Sequence, residues 1–288
     1  MAAPPRLNGI IRALEEGKTA IATFVSPPTI EGAVALSTTA YDGVIFECEH
    51  HPYDIFNLKD CLQYMLNRKQ ILERGTVAPA VTPIVRIPPN GAEMSQWIAK
   101  QVLDIGMYGI VWPHVSTVEE AYNAVASCRY PRPTTAPAYE PAGQRGDAPV
   151  TAARYWGLTQ QEYYARADVW PLAPHGELLV IIMCEEVKAI DNLRSILNEV
   201  PGIGVVLIGE GDLSQNLGYP RQYDHPAVVE AMTAIRRICQ EHQVPCGHPH
   251  VEAHNMEKVL GEGYRFVMTA PVRSYAVLDA CRARLGRV

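Results

Sequence analysis

The stretch "ELLVIIMCEEVKAIDNLRSILNEVPGIGVVLIGEGD", residues 177–212, decides the fold. Two short runs, "ELLVIIMCE" (177–185) and "GVVLIGEGD" (204–212), flank the helix pattern "EEVKAIDNLRSILNEV". Both runs are largely continuous in apolar residues rather than alternating, as parallel strands covered on both faces are. The unit therefore reads as strand, crossover helix, parallel strand.

Outward from it, the same unit recurs. Strands are expected at 19–26, 43–49, 83–88 and 109–115 before it, and at 244–249 and 265–271 after it. Helix patterns follow each, among them "YDIFNLKDCLQYMLNRK", "GAEMSQWIAKQVLDIG", "STVEEAYNAVASCR" with Ser116 as N-cap, "VEAHNMEKVLGEG" and "VRSYAVLDACRARLG". Gly106 and Gly263 sit where helices should stop. Eight strands, each followed by a helix, predict one α/β domain over 1–288, a (β/α)8 TIM barrel with an N-terminal helix, rather than an open doubly wound sheet. One long interruption, about 130–176 between strands four and five, is rich in Pro, Ala and aromatics; its aromatics either close over the site or pack the insertion onto a neighbouring subunit.

Bulk properties narrow the function. Over 288 residues, 48% hydrophobic and 19% charged content with a net charge of −6 fit a soluble protein with a large core. Without a basic stripe, nucleic acid is not an expected partner. Nor is a membrane, since no apolar stretch is long enough to span one. The N-terminus lacks the apolar core of a signal peptide. Seven dispersed cysteines without a C-x-x-C pair point to reduced thiols in a cytoplasm.

In a parallel barrel the chemistry lies where strands end. The strand-end polar residues are Glu47, Glu49, His50, Arg86, His114, Glu185, Glu186, Glu210, Asp212, His248, His250 and Thr269. Glu185 and Asp212 end neighbouring strands, so their carboxylates can converge on a hard divalent cation such as Mg2+. Arg86 can take a substrate carboxylate on its planar fork. His50 can serve as a base, oriented by Glu47. Such a set suits carbon chemistry beside the carbonyl of a 2-oxo acid. Each residue also has a structural reading: a strand-end carboxylate can cap a helix, and Arg86 can simply pair with an acid across the mouth. Cys184 reads as a buried thiol, and the G-x-G of "GEGDLS" has no Walker lysine after it.

These residues resemble the HpcH/HpaI aldolases, class II pyruvate aldolases. The marks are "EHHPYD" (49–54), "PIVRIP" (83–88), "LDIGMYGIVWPHVSTVEEA" (103–121), "GQRG" (143–146), "CEEVKAIDNL" (184–193) and "IGEGDLSQNLG" (208–218). The resemblance implies a barrel of the phosphoenolpyruvate/pyruvate type. It also implies a divalent metal ion (Mg2+, Mn2+ or Co2+) on Glu185 and Asp212, with no organic cofactor. It makes His50 the acid/base with Glu47 beside it, and Arg86 the pyruvate arginine. Asp104 matches an aspartate reaching toward a neighbouring subunit's site, and Gly211 lies where backbone N–H groups hold the pyruvate carboxylate. Partners would be a small 2-oxo acid and an aldehyde, and the chain a homo-oligomer, hexamer or trimer, with its last helix exchanged.

Departures from the pattern are Met183 for a glutamine, Glu210 for a proline, Glu47 for an aspartate, Cys48 and His51 for small residues, and "CGHPH" at strand seven. Met183 and His248 are accordingly expected beside the substrate with Arg86, Gly211 and Asp212. The expected function is a metal-dependent carbon–carbon lyase acting on a 4-hydroxy-2-oxo acid through a pyruvate enolate. The alternatives are a decarboxylase or other lyase using the same enolate, and a non-catalytic barrel.

Overall fold

Nine strands form one parallel sheet, in a computed structural model that describes residues 5–89 and 94–269. They are β1 (Ala20–Val25), β2 (Gly43–Glu47), β3 (Thr82–Arg86), β4 (Gly109–Trp112), β5 (Val169–Trp170), β6 (Leu178–Cys184), β7 (Val205–Ile208), β8 (Cys246–Val251) and β9 (Phe266–Thr269). Strand β1 pairs with β2 and β9, and β4 pairs with β6, so eight strands close into a barrel. The ninth, β5, is a two-residue addition from the insertion, laid against the start of β6. Every residue of β2, β3, β4, β6 and β7 is buried, which is why their sequences are continuous rather than alternating.

Helices cover the outside. The N-terminal helix α1 (Gly9–Glu15) is capped by Asn8, whose side chain accepts from the Ile10 and Ile11 N–H groups. Then come α2 (Ile30–Leu36), α3 (Ile55–Met65), α4 (Arg68–Arg74), α5 (Gln96–Asp104) and α6 (Val118–Cys128). The insertion contributes α7 (Val150–Trp156) and α8 (Gln160–Arg166), followed by α9 (Val187–Glu199), α10 (Glu210–Asn216), α11 (Pro226–Glu241) and α12 (Met256–Gly261). Gly106 and Gly263 end α5 and α12 with φ of +114° and +88°.

Several boundaries differ from expectation. The run 204–212 is a strand only to Ile208; Gly209 ends it and Glu210–Asn216 is helical, with two acids in the first turn where the helix dipole favours them. The run 53–69 is two helices, because Asn67 caps a second one through the Gln70 N–H. The strand expected over 244–249 continues to Val251, which shortens the helix after it. Thr117, not Ser116, caps α6, since a Thr three residues before Glu120 makes a reciprocal capping box. The helix expected over 272–286 lies outside the described residues.

The insertion packs on its own barrel. Trp156 stacks on Tyr108 at 4.3 Å between ring centroids, Tyr163 lies edge-on to Trp156, and the Trp156 Nε1–H donates to the Gly106 carbonyl. Arg129 anchors the loop by donating to the Ala138, Tyr139 and Pro141 carbonyls and to Asp168. Among the described residues no helix is long and apolar enough to cross a membrane.

Candidate active site

The C-terminal ends of β2, β3, β4 and β6 bring a cluster of titratable side chains together. Glu47, the last residue of β2, faces Arg86, the last residue of β3, in direct register. Its Oε2 accepts a short hydrogen bond from Arg86 Nη2, and its Oε1 accepts the Glu49 and His50 backbone N–H groups. The arginine is clamped from the other side by Glu49, whose Oε2 lies 2.8 Å from Nη1. The Phe24 ring lies 4.8 Å from the guanidinium carbon, and the Met183 sulfur 3.8 Å from Nη1. Both terminal nitrogens of the planar Arg86 fork are thereby oriented by carboxylates.

Glu49 is the hub of this network. Besides Arg86 it lies 3.6 Å from His50 Nε2 and 3.6 Å from His114 Nε2, with its side chain 2% exposed. Burial pushes its carboxyl up, while the Arg86 charge pulls it down. The His50 ring thus stands beside Glu49 rather than Glu47, and it is largely solvent-exposed. Glu47 reaches His50 only through the backbone N–H.

Glu185 follows β6. Its Oε1 accepts the His114 N–H at 2.6 Å, while Oε2 has no hydrogen-bond partner. Burial raises its carboxyl to about 7. Gly209 makes this position possible, because a Cβ there would collide with the Glu185 carboxylate. The charge of Asp212, on the first turn of α10, acts on both Glu185 and His114. Burial pulls the His114 imidazolium down, but Glu185, Glu186 and Glu49 outweigh it and raise it overall. One atom each from Glu49, His114 and Glu185 lies within 4.8 Å of the others, a spacing that a cation could draw together.

Beside this cluster opens a cavity of about 190 Å³, lined by Phe24, His50, Arg86, Met183, Gly211, Asp212 and His250 among others. Gly211 borders open space, so backbone can approach a ligand there. His248 is not in this cavity. It faces an adjoining one of about 460 Å³ bordered by α11 and α12, edge-on to Tyr264, with Nδ1 accepting the His250 N–H. Burial lowers its pKa. Its neighbour His250 lines both cavities and holds a short hydrogen bond to Glu210 through Nδ1. Asp104 lies apart from all of these, at the end of α5, where Lys100 and Arg145 engage its carboxylate.

Of the expected residues, the structure gathers His50, Arg86, Glu47, Met183, Gly211, Asp212 and Glu185 about one mouth, and leaves His248 and Asp104 outside it. It adds Glu49, His114 and the Glu210–His250 pair. All four are among the strand-end polar residues of the sequence, where none has a role in the expected reaction. Cys184 is buried with its thiol raised well above its ordinary pKa, as a structural cysteine.

A closed parallel barrel with a buried, half-satisfied carboxylate cluster at its C-terminal mouth is an enzyme scaffold. A 2-keto-3-deoxy-L-rhamnonate aldolase of Klebsiella pneumoniae is 35% identical over 263 residues, 90% of this chain and 85% of that protein. One from Salmonella gallinarum is 32% identical over 281 residues, 97% and 92% respectively. In fold the chain resembles a family protein from Burkholderia cenocepacia, with TM-score 0.76 at 23% identity over 97% of this chain and 98% of that one. Residues 23–271 match the model of the HpcH/HpaI aldolase/citrate lyase family, and the chain belongs to that family. It is a lyase, and its relatives are class II aldolases.

Proposed function

We propose that the chain cleaves a 2-keto-3-deoxy sugar acid, a 4-hydroxy-2-oxo acid, to pyruvate and an aldehyde. The observation that carries this reading is the Glu185 carboxylate, buried at the barrel mouth with one oxygen lacking a hydrogen-bond partner and within the field of Asp212 and of Glu49, which holds the Arg86 fork. Buried anions without partners are costly, and a divalent cation is the partner that fits this donor set. The names of the 32–35% identical relatives support the sugar-acid substrate.

Glu185 and Asp212 would hold the cation (Mg2+, Mn2+ or Co2+), which when bound supplies Lewis acidity to the 2-oxo acid. Arg86, fixed by Glu47 and Glu49, binds the pyruvate carboxylate and stabilises negative charge developing beside it. The Gly211 backbone borders the same cavity without a side chain to block approach. His50, exposed at the rim with Glu49 beside it, takes the proton from the C4 hydroxyl as the C3–C4 bond breaks and its electron pair passes to C3 as the enolate; a proton from solvent at the rim then adds to C3 to give pyruvate, and the synthetic direction reverses both transfers. His250, held by Glu210, borders the same space and faces the aldehyde half.

The large exposed side chains Phe56, Leu72 and Trp97 support a homo-oligomer. Dispersed free cysteines support the cytoplasm as its location. Retro-aldol turnover of a 2-keto-3-deoxy sugar acid with added Mg2+, Mn2+ or Co2+, measured against an EDTA control, tests the reading. Activity should appear only with metal and fall about a hundred- to ten-thousandfold in His50→Ala. Equal turnover in EDTA, or full activity in that variant, would overturn it.

A further inference from the structure

The pair Glu185 and Asp212 would leave a cation with oxygen ligands only, but the mouth also presents a nitrogen. We propose that His114, through Nε2, and Glu49 join Glu185 and Asp212 in binding the cation, and that this mixed nitrogen–oxygen site favours a transition-metal dication, Co2+ or Mn2+, over Mg2+. The inference rests on the reading that the mouth holds a divalent cation.

Four observations carry it. His114 Nε2 lies 3.6 Å from Glu49 Oε1 and the ring's other nitrogen, Nδ1, 3.7 Å from Glu185 Oε1, and all three residues offer atoms within 4.8 Å of one another. Bonds of about 2.0–2.2 Å place neighbouring octahedral ligands about 3 Å apart and opposite ones about 4.2 Å, so only a small contraction is needed. Second, the ring is already oriented. Nδ1 lies 3.3 Å from Glu186 Oε1, and the other oxygen of Glu186 accepts from Ser116 Oγ at 2.8 Å. A carboxylate holding Nδ1–H leaves the Nε2 lone pair for a metal, the arrangement in which histidine ligands are usually found. Third, the backbone is pinned for this purpose. His114 has a φ of +54°, costly for a residue with a side chain, and its N–H is tied to Glu185 Oε1 at 2.6 Å. Fourth, the oxygens are free. Glu49 uses Oε2 on Arg86, leaving Oε1 toward His114 with no hydrogen-bond partner, and Glu185 Oε2 has none while that residue is 1% exposed.

An imidazole ligand matters because Mg2+ accepts nitrogen poorly, whereas affinity for nitrogen rises from Mn2+ to Co2+ and beyond. Arg86 and His50, which also touch Glu49, keep their assigned roles, since only Oε1 of Glu49 is taken.

The test binds metal to the purified protein without substrate. Electron spin-echo spectroscopy of bound Mn2+ should show nitrogen coupling from one imidazole, kept in His50→Gln and lost in His114→Gln. In that last variant Co2+ affinity should fall at least tenfold while Mg2+ affinity changes less than about threefold. Glu186→Gln, which keeps the ligand but loosens its orientation, should weaken Co2+ to an intermediate degree. Mn2+ binding without nitrogen coupling, coupling lost in His50→Gln instead, or equal loss of Mg2+ and Co2+ would overturn the inference and leave the proposed aldolase intact. No binding of any dication would overturn both.

Discussion

Strand β6 begins after one buried glutamate and ends before another, and the two are treated in opposite ways. At the N-terminal end Glu177 is fully buried and fully partnered. Its Oε1 accepts from the Leu7 N–H at 3.1 Å and from Arg166 at 2.7 Å, and its Oε2 from the Asn8 N–H at 2.8 Å. At the C-terminal end Glu185 is just as buried, accepts one backbone N–H, and keeps an oxygen with none. The first glutamate ties the N-terminal segment to the barrel floor. The second stores an unmet demand for positive charge at the mouth. Over the seven residues of β6 the same side chain serves stability at one end and, on the proposed function, chemistry at the other.

The largest effects should separate the two. Glu185→Gln removes a buried charge without changing shape. Turnover should fall about a thousandfold or more, comparable with losing a principal electrostatic stabiliser of the transition state. The melting temperature of the metal-free protein should stay level or rise, because the desolvation cost disappears. Glu177→Gln should do the reverse. It leaves Arg166 and Arg6 short of a buried counter-charge and should cost about 3 kcal/mol of stability. Its kcat/KM, measured on the folded protein, should stay within about threefold. Calorimetry and turnover on both variants check this; a Glu185→Gln protein as unstable as Glu177→Gln would erase the contrast.

Titration sharpens it. Burial raises Glu185 from an ordinary 4.5 to about 7, so the folded chain holds that proton more tightly than the unfolded chain does. The metal-free protein should therefore lose stability from this group as pH rises above about 4.5, with the loss complete above about 7. A divalent cation should restore it mainly above pH 7, where the carboxylate is ionised. Melting curves between pH 5 and 8, with EDTA and with Mn2+, read this directly. Glu185→Gln should flatten that component; an unchanged slope in the variant would assign the effect to another group.

How much of this was legible in the sequence follows the same division. The barrel was legible because strands buried on both faces are apolar at nearly every position, and β6 and β7 carry that mark. The two-residue β5 was not, since "VW" inside an insertion has no period to read. Nor was α10, and the glycine before it has a tertiary reason absent from local pattern: Glu185, 24 residues earlier in the chain, occupies the space a side chain at Gly209 would need. At the mouth, Arg86 and Glu185 could be read from their strand ends. The partner of His50 could not, because β2 ends at Glu47 and the chain then turns, so alternation no longer governs where Glu49 points. His248 looked like a mouth residue for a related reason. It is its neighbour but one, His250, that reaches the cavity, after a register irregularity between His248 and Val251.

The smallest expected effect tests the contrast within β6 itself. Ile181 and Met183 share one face of the strand, two residues apart, and both are buried. Met183 is near the charged end, with its sulfur 3.8 Å from Arg86 Nη1, and lines the mouth cavity. Glutamine there can turn its amide oxygen to Arg86 or to the cavity, so Met183→Gln should change stability by no more than about 1 kcal/mol and the KM for pyruvate by about threefold. Ile181 lies one layer deeper among apolar neighbours, where the same amide would go unpaired, so Ile181→Gln should cost about 2–5 kcal/mol. Equal losses at the two positions would mean that the apolar core extends to the mouth, and that the boundary between scaffold and chemistry falls at Glu185 rather than below Met183.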